Sequence, residues 1–127
     1  MQLTNNFNKS EFDSGDGSEM PNDVLLNIQK LANQLQYVRD YTARAIRINS
    51  GYRSPSHNAT IGGVSNSQHV LGKAADIFIK GLSPNITYQI LEDLIEKGEI
   101  LQGGLGLYDS FVHYDIRKTK ARWDNRN

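Results

Sequence analysis

One stretch, SQHVLGKAAD at residues 67–76, places a histidine and an aspartate seven positions apart in a chain that holds only three histidines. Zinc in a hydrolytic site usually takes three ligands from His, Asp and Glu and keeps a fourth position for water. His69, Asp76 and His113 can supply such a set. Two neutral imidazoles and one carboxylate would leave the ion with a net charge of about +1, enough to polarise a carbonyl group and to acidify water.

Composition limits the other kinds of chemistry. The 127 residues fit one domain, 1–127, and include no cysteine, which excludes disulfides, thiolate metal sites and cysteine nucleophiles. Fourteen basic residues balance fourteen acidic ones, so the net charge gives no long-range attraction to nucleic acid or to an anionic membrane. We expect no nucleic-acid binding, no membrane insertion and a monomer.

The first residues, MQLTNNFNKSEF, lack the basic start and the apolar run of a signal peptide. No later segment approaches the roughly 20 apolar residues of a membrane span. The sequence therefore predicts a protein made in the cytoplasm. Action on the cell wall would need release by lysis, a dedicated exporter or a leader that this sequence does not contain.

Two segments have the periodicity of amphipathic helices. The first runs from Pro21 to about Arg44, with an apolar stripe of Val24, Ile28, Leu31, Leu35 and Val38. The second runs from about Pro84 to Lys97, after Ser83 as N-cap and before Gly98 as terminator, with a predicted inward face of Ile86, Ile90, Leu94 and Ile95. Both are expected to pack on the core.

Three stretches, 45–50, 74–80 and 110–118, have the composition of strands. In the last one, Val112, Tyr114 and Ile116 alternate with Phe111, His113, Asp115 and Arg117, so the polar groups share one face. In the middle one, Asp76 lies opposite the aliphatic face. Helices and strands mixed without a βαβ rhythm predict a single α+β domain whose mainly antiparallel sheet packs with two main helices.

The residues that flank the candidate ligands make the pattern specific. The segments SGYRSPSHN, GGVSNSQHVLGKAADI and GGLGLYDSFVHYDIR resemble the motifs of the zinc D-alanyl-D-alanine carboxypeptidases and the related phage L-alanyl-D-glutamate endolysins. These enzymes share their fold with the Hedgehog signalling domain. The resemblance covers most of the chain and is closest to the short single-domain branch found in phages and prophages.

The resemblance implies one zinc ion per chain, held by His69, Asp76 and His113. It also implies that Arg53 approaches the substrate's carboxylate or the scissile carbonyl oxygen, a role that suits a guanidinium because it stays charged and can bond in a bidentate fork. Ser67 and Gln68 match the positions before the first ligand, where they bind peptide substrate or only shape the loop.

The sequence departs from the family pattern at the general base. Better-known relatives carry Glu or Asp three residues before the last ligand histidine, and here that residue is Ser110. Asp115 is the first alternative, either as the base or as a residue that orients a ligand imidazole by accepting its free N–H. Asp109, at the turn before the strand, is the second candidate base.

Other residues with chemical potential have simpler interpretations. His57, in SPSHN, is expected to lie outside the metal site. Tyr52 and Tyr108 either line a groove or fill half-buried space, whereas Tyr114 is expected in the core. The C-terminal RKTKARWDNRN is predicted to be a solvated tail whose Trp123 packs on the domain, rather than a nucleic-acid contact.

The sequence thus predicts a zinc metallopeptidase that cleaves a peptide bond in bacterial peptidoglycan stem peptides. A D-residue specificity and a phage or prophage origin are implied by the resemblance alone. Two alternatives remain open: a zinc-stabilised binding module of the same fold without turnover, and a phage structural or assembly protein with local wall-degrading activity. The sequence does not decide between carboxypeptidase and endopeptidase.

Overall fold

A computed structural model describes residues 1–127 as one α+β domain built on a five-stranded sheet. A short 3-10 helix (Lys9–Phe12) precedes three α-helices and five strands. The helices are α1 (Asn22–Thr42), α2 (Pro55–Thr60) and α3 (Pro84–Glu96), and the strands are β1 (Ile46–Ser50), β2 (Ala74–Ile79), β3 (Gly104–Leu107), β4 (Val112–Asp115) and β5 (Ala121–Asp124). None of the helices combines the length and the apolar character needed to cross a membrane.

The sheet has the order β1-β2-β4-β3-β5, and every pairing is antiparallel except that of β3 with β5. This arrangement confirms the predicted α+β class and the mainly antiparallel sheet. The predicted strand at 110–118 is shorter than expected, since only Val112–Asp115 is extended and paired. Strands β3 and β5 were not predicted, whereas α2 begins in the SPSHN segment, whose composition is that of a turn and a helix start.

Helix α1 buries the expected stripe completely, and Ala32 joins it. Helix α3 begins as predicted, with the Ser83 hydroxyl accepting from the Ile86 amide and Pro84 in the first turn. Its predicted inward face is partly wrong. Leu94 and Ile95 are buried as predicted, but Ile86 is 52% exposed and Ile90 is half-buried, because Thr87 and Leu91 take their places on the buried face.

Five residues form one row across all five strands, which we call the site row. In the order of the strands, the row consists of Ser50, Asp76, His113, Gly106 and Trp123. Directly paired residues of neighbouring antiparallel strands have side chains about 4.5–5.5 Å apart on the same face. The sheet register therefore brings an aspartate and a histidine that are far apart in sequence into contact.

Candidate metal centre

Three buried side chains direct one ligand atom each at a common point. The Oδ1 atom of Asp76 lies 3.1 Å from Nδ1 of His113 and 3.3 Å from Nε2 of His69. All three atoms lie within 4.8 Å of one another. The structure thus brings together the three residues that the sequence singled out, and it leaves His57 outside this group.

His69 reaches the centre from the loop before β2. Gly72 has a φ of 74°, which lets this loop turn back toward β2, and a side chain there would clash with Val24 of α1. Nδ1 of His69 lies 2.7 Å from the carbonyl oxygen of Gly51. Since a carbonyl can only accept, Nδ1 carries the proton, and Nε2 presents a lone pair to the centre.

His113 is held in the same way from the other side. Its Nε2 lies 2.7 Å from Oδ2 of Asp115, which is completely buried. An ionised carboxylate accepts, so Nε2 carries the proton and Nδ1 faces Asp76 with a lone pair. Each imidazole is thus bound at its far nitrogen by an acceptor and offers its near nitrogen to the centre.

This arrangement suits a cation. Two nitrogen lone pairs and a carboxylate oxygen converge, and acceptors this close repel one another unless a positive charge lies between them. Zinc ligands about 2.0–2.1 Å from the ion in a tetrahedron lie roughly 3.3 Å apart. The contacts of Asp76 Oδ1 with the two imidazoles, 3.1 and 3.3 Å, are close to that separation. The donor set therefore fits a four-coordinate zinc site with three protein ligands.

Burial and the neighbouring side chains also set the pKa values of Asp76 and His113. Burial would raise the pKa of Asp76, but the hydrogen bonds that His113 and His69 donate whenever their near nitrogens carry a proton outweigh this effect and hold the pKa well below its usual range. Burial would lower the pKa of His113, but Asp115 and Asp76 raise it above its ordinary value. A proton and a metal ion therefore compete for the same nitrogen of His113.

Arg53 lies beside the centre, after the end of β1. Its Nη2 is 3.4 Å from Oδ2 of Asp76, while Nε donates to the Ser50 hydroxyl at 3.2 Å and Nη1 lies 3.4 Å from Oδ1 of Asn58. The backbone amide of Arg53 donates to the His69 carbonyl, and this bond connects the end of β1 with the loop that carries His69. The guanidinium lines a cleft of about 650 Å³ that opens over the three metal-site residues.

Asp115 faces away from this cleft. Its two carboxylate oxygens accept five hydrogen bonds, from the Gly104 amide, the Arg117 amide, Nε and Nη2 of Arg117, and Nε2 of His113. A carboxylate has about four lone-pair sites, so none remains to take a proton from water in the cleft. The position of Asp115 favours the orienting role over the base role.

The structure does not bring Asp109 to the cleft. Its carboxylate accepts from the backbone and side chain of Asn127 and lines a separate surface depression with Asp124 and Arg126. The reason is local, because Asp109 belongs to the turn between β3 and β4 rather than to the strand face that carries His113. Asp109 is therefore not a candidate base in this structure.

Ser67 and Gln68 both line the cleft. The Ser67 hydroxyl accepts from the His69 amide at 3.2 Å, so it also shapes the loop that carries the ligand. The side chain of Gln68 makes no hydrogen bond within the protein, so its amide is available to a molecule in the cleft. Substrate contact by either residue stays a prediction.

One wall of the cleft is aromatic, and sequence reasoning missed most of it. The indole of Trp123 on β5 lies 5.0 Å from the imidazole of His113, centroid to centroid. Its Nε1 donates to the Tyr108 hydroxyl at 3.0 Å, and the Tyr108 ring stacks on Phe111 with centroids 4.4 Å apart. The predicted tail is thus a strand that completes the wall. Tyr52 and Tyr114, by contrast, are buried in the core.

Gly106 is the residue that makes room for this wall. It separates His113 from Trp123 in the site row, and a Cβ atom added there would clash with the indole ring of Trp123. We expect Gly106→Ala to displace Trp123 and to lower the free energy of unfolding by about 1–3 kcal/mol, the usual cost of overpacking. Chemical denaturation measures the loss, and the emission of this single tryptophan reports its displacement.

Thr119→Ala, at an exposed position before β5, is the matched control and should change neither quantity. An unaltered unfolding midpoint and emission spectrum in Gly106→Ala would contradict the close packing of the indole over Gly106.

Comparison with known proteins adds the family. No curated protein matches the chain. The family model described as Peptidase M15 matches residues 2–115, a range that contains all three metal-site residues. Because this match covers most of the chain, the chain belongs to the Peptidase M15 family.

Proposed function

We propose that this protein is a zinc metallopeptidase that hydrolyses a peptide bond in the stem peptides of bacterial peptidoglycan. The observation that carries the proposal is the convergence of His69 Nε2, Asp76 Oδ1 and His113 Nδ1, each imidazole bound at its far nitrogen by an acceptor. Membership of the Peptidase M15 family supports the reaction class. The peptidoglycan substrate follows from the family resemblance of the motifs.

His69, Asp76 and His113 would hold one zinc ion. Zinc in such a set supplies Lewis-acid polarisation of a carbonyl group and lowers the pKa of water toward about 7. The Gly51 carbonyl and Asp115 favour the tautomers of the two imidazoles that such an ion needs, and all three candidate ligands are buried at the floor of the cleft. Burial strengthens the charge interactions of these groups with a bound peptide.

Arg53 would bind a carboxylate of the substrate or the oxygen of the scissile carbonyl group. Its contacts with Asp76 and Asn58 are long, 3.4 Å each, so its guanidinium can turn toward a carbonyl or carboxylate oxygen at small cost. A positive charge beside a carbonyl stabilises the negative charge that develops on its oxygen during attack. Ser67 and Gln68, next to the first ligand, would bond the peptide backbone.

A second candidate function is a zinc-stabilised binding module without turnover. It is favoured by one observation: among the residues that line the cleft, Asp76 is the only carboxylate. Asp115 is saturated with hydrogen bonds, and position 110 holds serine. A protein without a separate acid near the metal could bind peptide and leave it intact.

The test is digestion of purified peptidoglycan and of a synthetic stem pentapeptide ending in D-alanyl-D-alanine, followed by mass spectrometry. We expect zinc-loaded protein to release fragments, and a chelator to stop the reaction until zinc is restored. The fragment masses identify the bond and thereby separate a carboxypeptidase from an endopeptidase. Zinc-loaded, folded protein that binds the peptide without cleaving it would favour the binding module.

A further inference from the structure

Tyr108 lines the cleft, and neither hydrogen bond of its hydroxyl uses the hydroxyl proton. The phenol oxygen receives two contacts, from Nε1 of Trp123 at 3.0 Å and from Nδ2 of Asn125 at 3.5 Å. An indole N–H can only donate, so the oxygen must act as the acceptor in the shorter contact. The O–H of Tyr108 is therefore left to donate to a partner from outside.

The Tyr108 ring is fixed in place before any such partner arrives. It stacks on Phe111 with centroids 4.4 Å apart and an interplanar angle of 12°. The Tyr108 amide also donates to the Phe111 carbonyl at 3.1 Å across the turn between β3 and β4. A donor held by stacking, by the turn and by an indole loses little entropy on binding, which makes its hydrogen bond more effective.

Trp123 connects this hydroxyl with the metal centre. Its indole contacts the Tyr108 oxygen through Nε1, and its ring centroid is 5.0 Å from that of His113. The guanidinium of Arg117, which also donates to Asp115, lies over the indole, 5.5 Å from the ring centroid. A peptide that reacts at the metal centre and extends along this wall would bring its neighbouring backbone groups to Tyr108.

The polar character of the cleft indicates what such a partner offers. Apart from the metal-site residues, its charged and polar side chains come from arginine, asparagine, serine, glutamine and tyrosine, and none is a carboxylate. A surface rich in N–H and O–H donors selects molecules rich in acceptor oxygens. Peptide carbonyls and carboxylates have this chemistry.

We propose that Tyr108 binds the substrate by donating its hydroxyl proton to a backbone carbonyl or carboxylate oxygen next to the scissile bond. Trp123 is a positioning residue that acts through Tyr108, because its indole N–H holds the phenol oxygen and thereby directs the free proton into the cleft. The inference rests on the proposed function, since it assigns a contact to the peptide of the same reaction.

The test compares Tyr108→Phe with Tyr41→Phe, which removes a hydroxyl from an exposed tyrosine of α1 that does not line the cleft. Two quantities are measured with the same stem pentapeptide: kcat and KM of the zinc-loaded protein, and the Kd of the metal-free protein by calorimetry. We expect Tyr108→Phe to raise KM and Kd by about tenfold, the worth of one neutral hydrogen bond, and to leave kcat within about threefold. Tyr41→Phe should match the unsubstituted protein.

Trp123→Phe tests the positioning role. It removes the indole N–H and keeps an aromatic ring, and we expect KM to rise several-fold while kcat changes little. A merely structural role would lower the unfolding temperature without separating KM from kcat.

The outcomes distinguish the inference from the function on which it rests. If the wild-type protein hydrolyses the peptide and Tyr108→Phe has the same KM and Kd as the wild type, the inference alone is overturned. A fall in kcat at constant KM would overturn it too, since the hydroxyl would then act only in the transition state. Absence of hydrolysis together with a tenfold higher Kd in Tyr108→Phe would support the contact and reject the peptidase. Absence of both hydrolysis and binding would reject both.

Discussion

His69→Ala and His113→Ala are each expected to remove zinc from a protein that otherwise holds about one ion per chain. Each substitution deletes one of three converging donors, and the remaining pair cannot fill a tetrahedral site. Loss of an outer partner of a zinc ligand typically costs 10–100-fold in affinity, so loss of a ligand should cost more than about 100-fold. Metal analysis after zinc loading and desalting measures the effect.

The third histidine provides a matched control. His57 lies on α2 outside the ligand group, so His57→Ala should keep the zinc. Circular dichroism must show that all three variants are folded, and zinc should raise the unfolding temperature only where it binds. Equal zinc content in His69→Ala and His57→Ala would contradict the assigned centre.

Asp115→Asn is expected to weaken zinc binding by about 10–100-fold, although Asp115 lies outside the ligand set. The amide oxygen can still accept from Gly104 and from the Arg117 backbone, but the amide nitrogen then faces Nη2 of Arg117 and Nε2 of His113. It can bond His113 only if Nε2 becomes the acceptor. That tautomer puts the ring proton on Nδ1, the atom that the metal needs.

Competition with a chromophoric chelator measures this loss of affinity. Asp109→Asn makes the same chemical change at an exposed position outside the cleft and should leave zinc affinity unaltered. Asp115→Ala should in addition lower the free energy of unfolding by about 3–5 kcal/mol, because it leaves buried donors and the Arg117 charge unpaired. Unchanged zinc affinity in Asp115→Asn would mean that Asp115 does not set the tautomer of His113.

The candidate metal centre could be predicted from the sequence because its residues lie in short, recognisable patterns. His69 and Asp76 stand in one motif, and alternation put His113 and Asp115 on the same face of a strand. The buried stripe of α1 and the cap of α3 were likewise readable, since helical periodicity and capping depend on near neighbours. The family motifs then identified which histidines lie at the centre.

The cleft wall could not be predicted from the sequence, because it depends on pairing between segments that are distant in the chain. The GLGL sequence of β3 has little β propensity of its own, and it becomes a strand only between β4 and β5. The charged residues around Trp123 resemble a solvated tail until parallel pairing with β3 fixes them. The roles of Asp115 and Asp109 were undecided for the same reason, as only the packed structure distinguishes a saturated carboxylate from a remote one.

Strand β5 follows all of the candidate metal ligands in the sequence, so Trp123 and the metal centre belong to different segments of the chain. The three candidate ligands and their acceptor partners, Gly51 and Asp115, all precede β5, which covers the edge of the sheet that β3 would otherwise form. The converging donor atoms therefore include none from β5, whereas the Trp123 side of the cleft wall belongs to this strand. Substitutions in β5 can therefore change the shape of the cleft and leave the candidate metal ligands in place.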